Sequence, residues 1–306
     1  MTRYIIRRLA LSLFVLFGVS VVVFGLIHLA PGDPARLMLY DTAPDEEVQA
    51  MRKTLGLDQP LYLQYWLFLS NGLRGDLGQS LYYKQSALRI ILEHLPATAE
   101  LTFAALFVSL MVAVPMGILS AVRRDTVWDY AGMLLATIGQ ATPVFWLGLM
   151  FILLFSVQWT VLPSSGRGGI ENLLMPAVTL GAPLMALVTR LVRSGMLDIL
   201  GEDYIRTARA KGLPRPAVVY RHALRNMLIP LVTVIGLQLG ALLGGAVITE
   251  TIFAWPGVGR LVVTAITARD YPLVQATTLL VSVYFVAINL LLDVLYVYID
   301  PRIRFA

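Results

Sequence analysis

Between residues 198 and 230, Asp198, Glu202 and Asp203 precede Arg206, Arg209, Lys211, Arg215, Arg221 and Arg225, and the flanking sequence is apolar. Acids followed by cations can form ion pairs and charge-assisted hydrogen bonds with another surface. The acids sit at the start of a helix predicted over about 202–211, where the helix dipole favours negative charge. Arg209 and Lys211 fall at its end, and Gly212 follows where a left-handed residue is wanted. Pro214 and Pro216 stop that helix, and either can open a second one. The second helix would place Ala217, Tyr220, Leu224 and Met227 or Leu228 on one face, with Pro230 as its boundary. Two short amphipathic helices joined by a turn suit either a docking element or a basic loop on a membrane surface.

Other chemistries find little support. The chain has no Cys, which removes disulfides, thiol nucleophiles and Cys-ligated metals. His28, His94 and His222 are too widely spaced to form a metal-ligand pattern, and no Ser is paired with a base. Lys53, Lys84 and Lys211 are the only lysines, and none lies in a G-x-x-x-x-G-K-[ST] phosphate loop. The sequence therefore predicts no catalytic residue, no metal and no ATP bound by that route.

The elements that must position the charged stretch are membrane spans. In 306 residues, hydrophobic content is 58%, charged content 14% and mean hydropathy +0.74, too apolar for a soluble domain of this size. The net charge of +5 does not indicate nucleic acid, because the cations cluster beside apolar segments. Residues 1–8 carry Arg3, Arg7 and Arg8 ahead of a first span at 9–30, read as uncleaved. Residues 31–97 hold eight of the 19 carboxylates, the largest share outside the spans, with helices predicted in "APDEEVQAMRKTLGL" and "DQPLYLQYWLFLSNGL" and a turn in "GDLGQS". Five more spans are predicted within 98–298: about 98–122, 131–159 with a bend at Pro143, 173–192, 231–253 and 274–298. Pro176, Gly181 and Pro183 in the fourth would give either a discontinuous helix or a simple kink.

Charge sets the expected topology. Six spans place Arg3, Arg7, Arg8, Arg123, Arg124, Arg190, Arg193 and the charged stretch inside, and leave Arg167, Arg260 and Arg269 in short outside loops. Both termini, including 299–306, and the loop 193–230 are then cytoplasmic, and 31–97 is outside. In the fifth span, Gly236, Gly240 and Gly244 recur at every fourth residue, a face for close helix approach that could also line a pathway. Gln238, Thr249, Glu250, Asn289 and Asp293 are polar groups at or near membrane depth and are pathway or packing candidates.

The stretch "DYIRTARAKGL" resembles the cytoplasmic signature loop of bacterial binding-protein-dependent ATP-binding cassette importers, with Thr207, Ala208 and Arg209, then Gly212, then Ile229 and Pro230 in the corresponding places. The triplet departs from Glu-Ala-Ala in the manner of the peptide and nickel branch. "LAPGDPA", "GDLGQS", "LPATAEL", "ETIFAWPGVGRL", "RDYPLVQA" and "DVLYVYIDPRIR" are also similar to blocks of the dipeptide, oligopeptide, glutathione and nickel permeases, in order along nearly the whole chain.

The resemblance implies an all-α inner-membrane permease of about six transmembrane helices with a helical periplasmic segment. In such a permease Asp203, Arg206, Thr207, Ala208, Arg209, Lys211 and Gly212 form a coupling helix. Its implied partners are a second homologous permease subunit, one or two ATP-binding cassette ATPase subunits that hold ATP and magnesium, an extracytoplasmic substrate-binding protein and membrane lipid, but no nucleic acid. The turn with Trp255, Pro256 and Gly257 either reaches toward the binding protein and the outer mouth or caps the fifth span. An ion-driven secondary transporter is the alternative from another class, but most of its required ionisable groups would lie near span ends.

Overall fold

The computed structural model describes residues 2–29, 35–36, 39, 43–54 and 56–299, and the described residues are predominantly helical. They divide into two compact units. One comprises the chain up to Pro96 with Gly257–Leu291, and the other is centred on Ala97–Pro256.

The first unit contains α1 (Thr2–Leu29), α2 (Asp45–Thr54) and α3 (Leu61–Leu73). It also contains the start of α4 (Ala87–Val122), all of α10 (Val258–Thr267) and most of α11 (Tyr271–Ile299). Asp45, Glu46 and Glu47 occupy the first turn of α2, and Gly56 follows at φ +66°, as the sequence predicts. Tyr65 of α3 sits edge-on to Phe17 and Phe24 of α1, and its hydroxyl lies 2.8 Å from Ser20 Oγ. Ala87, Ile90, Ile91, Val258, Leu261, Ala265, Leu273 and Ala276 form the apolar core. Buried Asp270 joins two segments 190 residues apart: Ser80 Oγ donates to its carboxylate at 2.5 Å and the Tyr82 N–H at 3.1 Å. The same carboxylate accepts from the Leu273 N–H at 3.2 Å and so caps the start of α11.

The second unit holds the rest of α4, followed by α5 (Val127–Ala141) and α6 (Val144–Phe151), which runs on as a π-helical stretch, Ile152–Gln158. Next come α7 (Ile170–Gly201), α8 (Asp203–Ala210), a π-helical stretch Ala217–Ala223 and α9 (Leu224–Ile252). The third span is broken by 105° between α5 and α6. Its cause is local: Thr142 precedes Pro143, which pushes it to extended geometry (ψ 123°). By contrast, α7 passes through Pro176 and Pro183 without interruption, so the discontinuous-helix reading of the fourth span does not hold. Its backbone is held from the side, since Ser109 Oγ donates to the Gly181 carbonyl at 2.9 Å and a Cβ at Gly181 would lie 2.7 Å from the Ala105 carbonyl oxygen.

Helices long and apolar enough to cross a membrane cover Ile6–Gly25, Ala87–Val122, Ile170–Gly201, Ala217–Leu242 and Tyr271–Leu291, and the bent pair supplies a sixth if it counts as one span. The second span begins earlier than expected, at Ala87. Pro230 does not end a helix as expected but lies inside α9, which starts at Leu224 and continues into the fifth span.

Candidate functional site

The charged stretch folds around α8. Ile205 and Ala208, three residues apart and therefore on one face, are buried in the core of the second unit with Met196, Val218, Ala223 and Met227. Asp203, Arg206, Thr207, Arg209 and Lys211 remain exposed. The end of the helix is built as the sequence implies: the Lys211 N–H bonds the Thr207 carbonyl at 3.0 Å, the Gly212 N–H bonds Arg209 at 2.9 Å, and Gly212 takes φ +79°. Asn226 Nδ2 donates to the Tyr204 hydroxyl at 2.6 Å, tying α8 to the start of α9. The Asp203–Arg206 pair, 3.3 Å apart and fully in solvent, contributes little to stability. α8 therefore presents a fixed basic surface from a buried apolar base.

The face after the turn differs from the α-helical expectation. Val218, Ala223, Met227 and Leu231 are buried, whereas Tyr220 and Leu228 are exposed. The π-helical stretch widens the first interval to five residues, and the α-helical interval of four resumes after it. Of the face that a 3.6-residue period selects, Met227 is buried and Ala217 and Leu224 are half-buried, while Tyr220 turns outward.

A feature missed by sequence reasoning holds α7 immediately before α8. Arg193 Nε and Nη2 donate to the two Asp129 carboxylate oxygens at 2.5 and 2.7 Å. The Asp129 side chain is 1% exposed and that of Arg193 25%. Asp129 Oδ2 also accepts the Asp125 N–H at 3.1 Å. This bidentate pair clamps the start of α5 to α7 two turns before α7 ends. Its sequence signal is weak, since Asp129 is one of two acids, with Asp125, that follow Arg123 and Arg124.

The span candidates do not form one site. Gly236 is buried and Gly240 half-buried, but Gly244 is exposed and a Cβ there would meet nothing within 4 Å. Gly245 takes the close approach instead, since its Cβ would lie 3.2 Å from Leu180 Cδ1. Asn289 donates to its own helix at Phe285, 2.8 Å away, and the side chain of Asp293 lies outside the described residues. A cavity of about 290 Å³ opens among α5, α6, α7 and α9, lined by Gln140, Val144, Leu180, Pro183, Leu184, Leu187, Gln238, Ala241, Leu242 and Gly245.

Glu250 and Trp255 belong to a packed corner. Glu250 is fully buried and accepts from Thr98 Oγ1 at 2.6 Å. Trp255 is also fully buried; its Nε1 donates to the Ala97 carbonyl at 2.8 Å, and its N–H to the Glu250 carbonyl at 2.8 Å. Pro256 is half-buried, and buried Gly257 precedes α10. Of the two readings of this turn, the placement of Trp255 favours the cap.

Comparison with known proteins places this geometry in context. Residues 113–305 match the family described as "Binding-protein-dependent transport system inner membrane component", and residues 1–102 match the corresponding N-terminal family. The chain is 41% identical over 333 residues to the dipeptide transport system permease protein DppB of Alkalihalophilus pseudofirmus, with 100% of each chain covered. It is 43% identical over 305 residues to the glutathione transport system permease protein GsiC of Escherichia coli (strain K12), again with 100% of each covered. Among solved structures, an inward-facing MetNI methionine ABC transporter chain aligns with TM-score 0.59 and 19% identity, covering 69% of this chain and 96% of that one, which is likeness of fold.

Proposed function

This chain belongs to the family of binding-protein-dependent transport system inner-membrane components, the permease subunits of ATP-binding cassette importers, and on that premise we propose that α8 is its coupling helix, through which separate ATPase subunits drive the import of short peptides or glutathione. The observation that carries the reading is the two-sidedness of α8: Ile205 and Ala208 are buried, while Arg206, Arg209 and Lys211 are exposed on a helix closed by left-handed Gly212. Such a helix transmits displacement, because moving its exposed face drags the buried residues and, through the single residue Glu202, the end of α7. The exposed cations give the ATPase surface an electrostatic register.

In this reading both termini and α8 are cytoplasmic. A second homologous permease subunit completes the path, an extracytoplasmic binding protein delivers cargo, and ATP and magnesium reside on the partner subunits. The cargo class follows from the full-length similarity to permeases named for dipeptide and glutathione transport. Family membership disfavours the ion-driven secondary transporter.

The test uses the complete complex reconstituted with its binding protein. Arg209→Glu should leave the permease inserted and lower binding-protein-stimulated ATP hydrolysis at least tenfold. Wild-type transport and hydrolysis in this variant would refute the assignment.

A further inference from the structure

The cavity among α5, α6, α7 and α9 has an unusual lining for its depth. Eight of its ten residues are apolar or glycine, and Gln140 and Gln238 are the two exceptions. Gln140 lies in the last turn of α5, beside the 105° break, and Gln238 lies near the middle of α9. Both side chains are solvent-accessible to some degree, and neither carboxamide has a hydrogen-bond partner among the described residues. Each carboxamide carries two donor hydrogens and an acceptor oxygen, and leaving these unmet at membrane depth is costly. Thr137, Thr233 and Thr251 of the same helices return their hydroxyls to the carbonyl four residues earlier. The two glutamines are thus the hydrogen-bonding capacity of this cavity.

We propose that Gln140 and Gln238 form a cargo-reading site in the translocation path, where they hydrogen-bond the backbone amide groups of a passing short peptide. This rests on the reading of the chain as a peptide-class permease and names the part of the cargo that the permease recognises. Three properties select that ligand. A carboxamide is the natural partner of a secondary amide, offering an acceptor for its N–H and a donor for its carbonyl. No lining residue is charged, and two neutral carboxamide oxygens without a carboxylate, imidazole or thiolate are a poor set for a bare metal ion. The remaining wall of Leu, Val, Pro, Ala and Gly accepts varied side chains without specifying any. The volume of about 290 Å³ suits one small solute, at the lower end of ligand sites, which begin at about 300 Å³. Dipeptides and glutathione share the peptide amide and differ elsewhere, so a site that reads the amide alone would pass both.

The experiment compares wild type, Gln140→Leu and Gln238→Leu in proteoliposomes holding the full complex and its binding protein. Leucine removes the carboxamide and suits an apolar surround. The probes are alanylalanine, its analogue methylated on the peptide nitrogen, and glutathione. Each variant should move about three- to tenfold less alanylalanine or glutathione per ATP hydrolysed, as loss of one such bond implies. Stimulation of hydrolysis by the loaded binding protein should be retained, and Gln→Asn at each site should restore part of the yield. The methylated analogue should move poorly in wild type, and the leucine variants should slow it little further. Wild-type yield per ATP in both leucine variants would overturn the site. So would loss of the second permease subunit from the purified variants, which would show the carboxamides to be packing between subunits. If wild type moves none of the probes, the peptide reading itself fails and this site with it.

Discussion

The Asp129–Arg193 pair makes an asymmetric prediction about stability. Its two ends are unequally buried, the carboxylate at 1% exposure and the guanidinium at 25%. Removing one partner of a buried pair costs about 3–5 kcal/mol, mostly because the other charge is left without compensation. Arg193→Met leaves Asp129 buried with the 3.1 Å contact from the Asp125 N–H as its remaining hydrogen bond, so the cost should approach about 4–5 kcal/mol. Asp129→Asn leaves a guanidinium that water reaches and an amide oxygen that can still accept one bond, so about 2–3 kcal/mol is expected. The double variant buries no charge and should be more stable than Arg193→Met alone. The assay is reversible unfolding of the purified chain in mixed detergent micelles with increasing sodium dodecyl sulfate, arranged as a double-mutant cycle. Equal losses in the two single variants, or strict additivity in the double, would refute the clamp.

Glycines in the spans should separate by what faces them. Gly181→Ala places a methyl 2.7 Å from the Ala105 carbonyl oxygen and should cost about 1–3 kcal/mol, whereas Gly244→Ala meets nothing within 4 Å and should be neutral or gain up to about 1 kcal/mol of helix propensity, both read in the same unfolding assay. Trp255→Phe removes the bond to Ala97 and part of a fully buried ring. A loss of about 1–3 kcal/mol with intact binding-protein stimulation is expected; lost stimulation at unchanged stability would instead support a role for this turn at the outer mouth.

The spans and α8 were legible because they rest on local signals. Apolar length marks a membrane helix, and acids, cations, Gly212 and the following prolines bracket α8 within a few residues. Pro143 signalled the break in the third span because the residue before a proline is restricted wherever it occurs. Pro176 and Pro183 carry the same local signal yet break nothing, since packing against Ala105 and Ser109 holds the helix. That outcome depends on residues 72 or more positions away. Asp129–Arg193, Ser80–Asp270 and Thr98–Glu250 were invisible for the same reason, being separated by 64, 190 and 152 positions. The π-helical stretch at Ala217–Ala223 was hidden differently: it changes the period on which the face assignment relied. The glycine repeat of α9 was real as spacing, but at its last position the close approach falls to the neighbouring Gly245 and not to Gly244.

A coupling role requires α8 to be the surface that meets the ATPase. The absence of Cys from the sequence allows a direct measurement, because a single introduced thiol is unique within the chain. Arg206→Cys, at a side chain 79% exposed, is labelled with a short photoreactive group in the assembled complex, with Arg260→Cys as the control beyond the fifth span. Light should join the Arg206→Cys permease to an ATPase subunit, with a yield that changes when ATP is added, and the control should give no such product. An ATPase adduct from Arg260→Cys and none from Arg206→Cys would contradict the account.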